Sequence, residues 1–199
     1  MGDIFTSVSD FEKRLGLPTG FYHHLLNEGD WSFIIQLSAL FEAACTHALT
    51  LKLDAPQLEG CFSHLDQANS KFGKIKLLKE LGVIYPDQAT FLTKLASLRN
   101  DMAHDISNVS MSLKAFTTSM DSQQKDSFVK WAGHGILPEV THKERKIDRK
   151  SFVIDNPKLS IWLTAAEILG CIYLEVEHSE LAQSLGVYKW LKDITSTRS

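Results

Sequence analysis

Cysteine, proline and an excess of either charge are all scarce in this chain, and each shortage removes a class of protein. The three cysteines, Cys45, Cys61 and Cys171, form no CxxC pair. Neither a disulfide framework nor a zinc knuckle is therefore encoded, and no metal or other cofactor is expected. Sparse unpaired thiols suit a reducing compartment, so a cytoplasmic location is expected. No apolar run reaches the roughly 18 residues of a membrane-spanning helix; the longest, Leu159 to Val176, is broken by Glu167 and by hydroxyl residues. No basic start followed by an apolar centre marks a secretory leader. Met1 to Thr6 fits the N-myristoylation pattern only as loosely as many unrelated chains do. Basic residues number 21 and acidic residues 24, for a net charge of −3, which excludes coating of duplex nucleic acid by wholesale neutralisation of phosphate. Phosphate-binding loops, dinucleotide fingerprints, nucleophile elbows and zinc-protease helices are also missing.

What remains is ordinary globular material. With 199 residues, 44% hydrophobic and 23% charged, the chain can bury a core within a single domain spanning 1–199. Val, Ile and Thr do not alternate in runs, and no Asn-Gly or Asp-Gly hairpin signal occurs, so strands are not expected. The pattern reads instead as an all-α bundle of five to seven helices. Ser9 or Asp10 caps a short first helix that Gly16 and Pro18 end. Asp30 caps the strongest early helix, Trp31 to Leu53, whose Ile34, Leu37, Phe41, Ala44, Ala48 and Leu51 make one stripe, with His47 at its edge. A polar-faced piece with Leu58, Phe62 and Leu65 follows Pro56. The spacing then predicts a helix over 71–81, capped by Ser70, with Phe72, Ile75, Leu78 and Leu81 inward and Lys71, Lys74 and Lys79 outward; Gly82 ends it. Pro86 opens a helix to His104. Beyond it, 107–112 reads as a loop, 113–120 and 126–131 as short helices, and 157–185 as a last long helix that Gly186 terminates.

One segment carries chemistry: Leu98-Arg99-Asn100-Asp101-Met102-Ala103-His104-Asp105 at the end of a helix. Histidine titrates near neutrality and suits proton transfer. Arginine offers phosphate a permanently charged planar fork. On an ideal helix Arg99 and His104 are turned about 140° apart, whereas Asn100 and His104 share a face. Joint action requires the long Arg99 stem to reach around, the helix end to fray, or two protomers to supply the pair. A purely structural role is the plain alternative, with polar side chains closing helix carbonyls and His104 favoured by the helix dipole. The pair His23-His24 lacks an acidic or cysteine partner at ligand spacing and reads as packing, and Cys171 reads as a small hydrophobe.

The Arg99…His104 spacing resembles the Arg-x4-6-His motif of HEPN domains, small all-α domains of which many are metal-independent ribonucleases in toxin and antiphage systems. The wider stretch, Gly73 to Ile84 with its Leu81-Gly82-Val83-Ile84 turn and then Leu95 to Asp105, is similar to the mannitol operon repressor (MltR-like) family. With the helix from Trp31, this resemblance covers residues 30–105. It implies a homodimer in which two motifs face one cleft, Arg99 and Asn100 hold the scissile phosphate of an RNA, and His104 serves as acid and base. It equally admits a non-catalytic regulator that acts by binding another protein; the possible protein partner is an antitoxin in the first case and a regulatory protein in the second. Direct operator reading is disfavoured because no helix-turn-helix with a basic recognition helix is present. Two further expectations concern surfaces. The face bearing Leu95, Arg99 and Met102 is expected to form the dimer contact. The run His142 to Lys150, HKERKIDRK, reads as a solvated, mobile loop whose Lys143, Arg145, Lys146, Arg149 and Lys150 are candidate RNA contacts.

Overall fold

The computed structural model describes residues 3–104, 106–142 and 145–196, with the backbone alone at 106, 140–142, 145, 188–189 and 191–196. It is all-α in character: ten α-helices, three short 3-10 turns and a two-stranded ribbon occur among the described residues. The helices outnumber the five to seven expected because several connections coil into short helices of their own.

Helix α1 (Ile4–Arg14) is capped by Asp3, whose carboxylate accepts the Phe5 amide, rather than by Ser9 or Asp10. Inside it, Glu12 is buried and accepts the amides of Gly20 (3.1 Å) and Tyr22 (2.6 Å). That carboxylate therefore serves the otherwise unpaired N-terminal donors of α2 (Phe21–His24) from a distance. Tyr22 and Trp162 then exchange hydrogen bonds: the hydroxyl donates to the Trp162 carbonyl, and the indole donates to the Tyr22 carbonyl at 3.0 Å. Their rings stack at 5.0 Å, and His23 packs edge-on to the same indole, the role its sequence context suggests.

Helix α3 (Asp30–Lys52) is the pillar of the bundle, with Phe33, Ile34, Leu37, Leu40, Phe41, Ala44, Cys45, Ala48 and Leu49 all buried. At 3.6 residues per turn those positions cover about half of the circumference, while Ala39 and Ala43 on the opposite side are exposed, so the neighbours of α3 pack on one broad face. Helix α10 (Pro157–Ser196) and α6 (Pro86–Ala103) lie against it, with α1 along α10. By length and composition Asp30–Lys52 and Pro157–Val187 would each suffice to cross a membrane, but most of each is buried inside the protein. Two smaller pieces, α4 (Glu59–Ser63) and α5 (Lys74–Glu80), flank α3.

Helix α5 begins three residues later than the expected 71. Asn69 Oδ1 takes the amides of Lys71 (2.9 Å) and Phe72 (3.2 Å), and Asp66 Oδ1 takes that of Ala68 (2.8 Å). Such side-chain turns compete directly with helix formation. The shift reverses two expected orientations. Phe72 is 58% exposed, while Lys74 is 3% exposed and donates to the Ser63 carbonyl at 3.3 Å.

Past α6, a 3-10 turn at Ile106–Ser110 replaces the expected loop, followed by α7 (Leu113–Ser119) and α8 (Ser122–Ala132). Helix α8 is longer than expected because Asp121 and Gln124 cap one another reciprocally. The described part of the basic run is not a loop. Glu139–His142 (β1) pairs antiparallel with Arg145–Asp148 (β2), joining Val140 to Ile147 and Thr141 to Lys146, and Asp148 caps α9 (Arg149–Asp155). Backbone pairing organised a segment whose charge concealed its strand pattern.

Helix α10 continues through Gly186 to Ser196 instead of stopping at 185. Gly186 does not adopt a left-handed φ, and a methyl group there would meet nothing within 4 Å. Gly186→Ala is expected to stabilise the protein by about 0.5–1 kcal/mol, because alanine loses less backbone entropy in a helix interior. A terminating glycine would show the opposite sign. Urea denaturation followed by circular dichroism measures it.

Candidate functional site

The last turns of α6 carry the motif, and their position is set by neighbours that close the helix's final carbonyls. The Trp31 indole donates to the Met102 carbonyl (3.2 Å), and the Asn108 amide donates to that of Asp101 (2.9 Å). His104 caps the helix, its amide on the Asn100 carbonyl at 3.1 Å. These bonds satisfy acceptors that a helix end leaves open. The segment is held in place rather than frayed as far as His104; Asp105 lies outside the described residues.

Arg99 is half-buried and donates from Nη1 to Asn100 Oδ1 at 3.0 Å, while its Nη2 stands 4.0 Å from Glu42 on α3. Both Arg99 and Asn100 line an open pocket of about 200 Å³ between α3 and α6. Ser38 and Glu42, one turn apart on α3, form one wall; Leu92 and Leu95 form another; Asp66 and Gln67, from the turn before α5, close the top. Two polar atoms here, Ser38 Oγ and Gln67 Oε1, are buried without a hydrogen-bond partner. His104 is exposed, one turn beyond this lining. Within one chain, then, Arg99 and Asn100 act together and His104 stands apart. Sequence spacing anticipates the separation of Arg99 from His104, but not the pocket. Its advance signal is slight: Ser38 and Glu42 are polar residues four apart, hence on one side of their helix.

The apolar basis of the expected dimer face is absent: Leu95, Leu98 and Met102 are buried in the protein's own core, which leaves Arg99 as the accessible member of that face among the described residues. Among the described residues, exposed apolar side chains recur along α10 at Leu174, Leu181, Leu185, Val187 and Trp190.

The candidate RNA contacts are a mixed group. Lys146 pairs with Glu139 (3.3 Å), Lys150 with Asp126 (2.6 Å), and Arg149 donates to the Ile136 carbonyl (3.3 Å). Lys143 and the side chain of Arg145 lie outside the described residues. Elsewhere, His134 meets Glu167 at 3.4 Å, and Glu167 also takes the Gln88 amide (3.3 Å) and the Cys171 thiol (3.7 Å). Cys171 is thus a hydrogen-bonded thiol more than a simple hydrophobe, and its pKa is raised by burial and by Glu167.

Comparison with protein-family models, with curated proteins and with solved structures returns no match.

His47 provides a pH-dependent feature near this region. Its Nε2 is buried with no partner, and burial holds its pKa below the ordinary 6.5, with Arg14 pushing the same way and Glu59 and Glu180 opposing. The folded protein therefore favours neutral imidazole, and the unfolded chain takes up the proton more readily. Stability contributed by this group is present above about pH 6.5 and is lost as the pH falls. In His47→Gln the decline in unfolding free energy between about pH 7 and pH 5 should be shallower than in the parent. Denaturant titration at a series of pH values reads the difference, and parallel curves contradict it.

Proposed function

We propose that this chain is a HEPN-type, metal-independent endoribonuclease that works as a cytoplasmic homodimer, the toxic or defensive member of a bacterial system. The observation that carries the reading is the pairing of Arg99 with Asn100 at the mouth of an open polar pocket, one helical turn from an exposed His104. Asn100 orients a guanidinium that can hold two oxygens of a phosphodiester in one plane. In the proposed reaction an imidazole of His104 removes the proton from the RNA 2′-hydroxyl, and the 2′-oxygen attacks phosphorus. The bond to the 5′-oxygen breaks, and that oxygen receives a proton from an imidazolium. The products are a 2′,3′-cyclic phosphate and a 5′-hydroxyl. Arg99 meets the charge that gathers on the phosphorane. Because His104 and Arg99 diverge on one helix, the second copy of the chain supplies the complementary group.

A second reading has its own support. Glu42 and Asp66 share the pocket with Arg99, and two carboxylates beside one guanidinium disfavour an anion. A regulator of the MltR-like kind, binding a protein partner without catalysis, fits that charge balance.

The two readings part on an assay. Purified protein with labelled RNA in EDTA should cleave and leave cyclic phosphate ends, and a 2′-deoxy residue at the cut should block it. His104→Ala should lower the rate by about 10²–10⁴. Arg99→Ala should cost about 10²–10³, and Arg99→Lys should not restore it, since an ammonium cannot bind two oxygens in a plane. Activity that depends on Mg²⁺, or that survives both alanine variants, leaves the regulator as the better account. Sedimentation showing only monomer at micromolar concentration removes the shared site.

The ribbon gives a separate expectation. Replacing Lys143, Arg145, Lys146, Arg149 and Lys150 together should weaken RNA binding and flatten its dependence on salt, since each lost phosphate contact reduces the slope by about 0.7–0.9. An unchanged slope measured by fluorescence anisotropy assigns these charges to the ribbon's own ion pairs.

A further inference from the structure

We infer that the pocket between α3 and α6 receives a guanine base, the one next to the phosphate held by Arg99; the choice of an RNA ligand rests on the ribonuclease reading. Away from Arg99, the polar groups of the pocket are mostly acceptors. Gln67 spends its amide nitrogen on the Cys45 sulfur at 3.3 Å, which leaves Oε1 as the unpartnered atom. Ser38, 5% exposed, has an Oγ with no partner. Buried polar atoms left in this state are costly, and a ligand that brings hydrogen-bond donors relieves the cost. Glu42, whose carboxylate is 4.0 Å from Arg99, lines the same pocket.

The base that matches is set by its edge. Guanine presents N1–H and N2–H side by side, two donors with no acceptor between them, which a carboxylate takes in parallel. Adenine and cytosine place a ring-nitrogen acceptor beside their amine, and uracil has a single N–H between two carbonyls. Each of those brings an acceptor against Glu42 or the Gln67 Oε1, neither of which can donate. The walls are Phe41, Leu65, Leu92 and Leu95, suited to the faces of a flat ring. A volume of about 200 Å³ lies below the roughly 300–1,000 Å³ of drug-sized sites, room for one base and not for a dinucleotide. When Glu42 turns to the base, Arg99 is released toward the phosphate, so the acidic lining that opposes a bare anion becomes the device that selects a nucleotide. RNA-binding proteins commonly read unstacked bases on this edge.

The test titrates the full-length protein with guanosine 3′-monophosphate and with its adenosine, cytidine and uridine counterparts, followed by calorimetry and by amide chemical shifts. Guanosine monophosphate should bind about ten- to a hundredfold more tightly than the others, the range a good bidentate contact supplies. Glu42→Gln should abolish that preference while leaving the fold's spectrum intact, and Ser38→Ala should reduce it. Equal affinity for all four nucleotides overturns the inference, as does binding of arginine amide in place of guanosine monophosphate. Cleavage of RNA with no base preference sinks the guanine pocket and leaves the nuclease. Selective guanosine monophosphate binding by a protein that cuts no RNA does the reverse.

Discussion

A helix that buries about half of its circumference cannot rest on one neighbour; it needs several. Between Phe33 and Thr50, helix α3 buries one broad face and leaves Ala39 and Ala43 exposed on the other side, and the remaining architecture is the set of elements that cover that face. Its breadth explains why α10 and α6 both lie against it. Polar bonds then set the relative positions of these elements. Asp30 accepts the Leu113 amide at 2.8 Å and meets Lys158 at 3.5 Å, tying the start of α3 to α7 and α10 at one carboxylate. Because α3 carries both Ser38 and Glu42, the same packing that hides its apolar surface also creates the polar recess facing Arg99.

The turn between α4 and α5 shows how local chemistry shapes that recess. Its backbone folds back so that Lys74 donates its amide to the Asp66 carbonyl at 3.0 Å and Ile75 donates to that of Gln67 at 3.1 Å. Gly73 is required here: a methyl group would lie 2.6 Å from the Asn69 backbone. This compact turn brings Asp66 and Gln67 over the pocket, and the buried Lys74 secures it from below through Ser63.

What could be read in advance follows from this hierarchy. Helices α3 and α6 were legible because their apolar periodicity and first residues agree, Asp30 and Pro86 each standing where the helix begins. The motif at Arg99 and His104 was legible as residue types at a spacing, and its divergence on one helix followed from 3.6 residues per turn. Three features were not. Asn69 outcompetes Ser70 for the local amides, so α5 starts late. Gly186 sits in ordinary helical backbone with no left-handed φ, so it does not end α10. The β-ribbon from Glu139 to Asp148 hides two paired apolar positions, Val140 and Ile147, among charges. The pocket itself depends on long-range pairing of α3 with α6, which no local pattern reports.

The length of α10 affects how the molecule behaves in flow. Forty residues at about 1.5 Å each give a rod of roughly 60 Å, whereas a compact chain of this size has a radius of gyration near 16 Å. A helix longer than such a body is wide makes the particle elongated, and Leu181, Leu185, Val187 and Trp190 are exposed along its later part. Such a shape drags more solvent than a sphere of equal mass. A single copy therefore elutes early from a gel-filtration column and mimics a larger species, so its subunit count has to come from light scattering or sedimentation equilibrium, which weigh the particle without assuming its form.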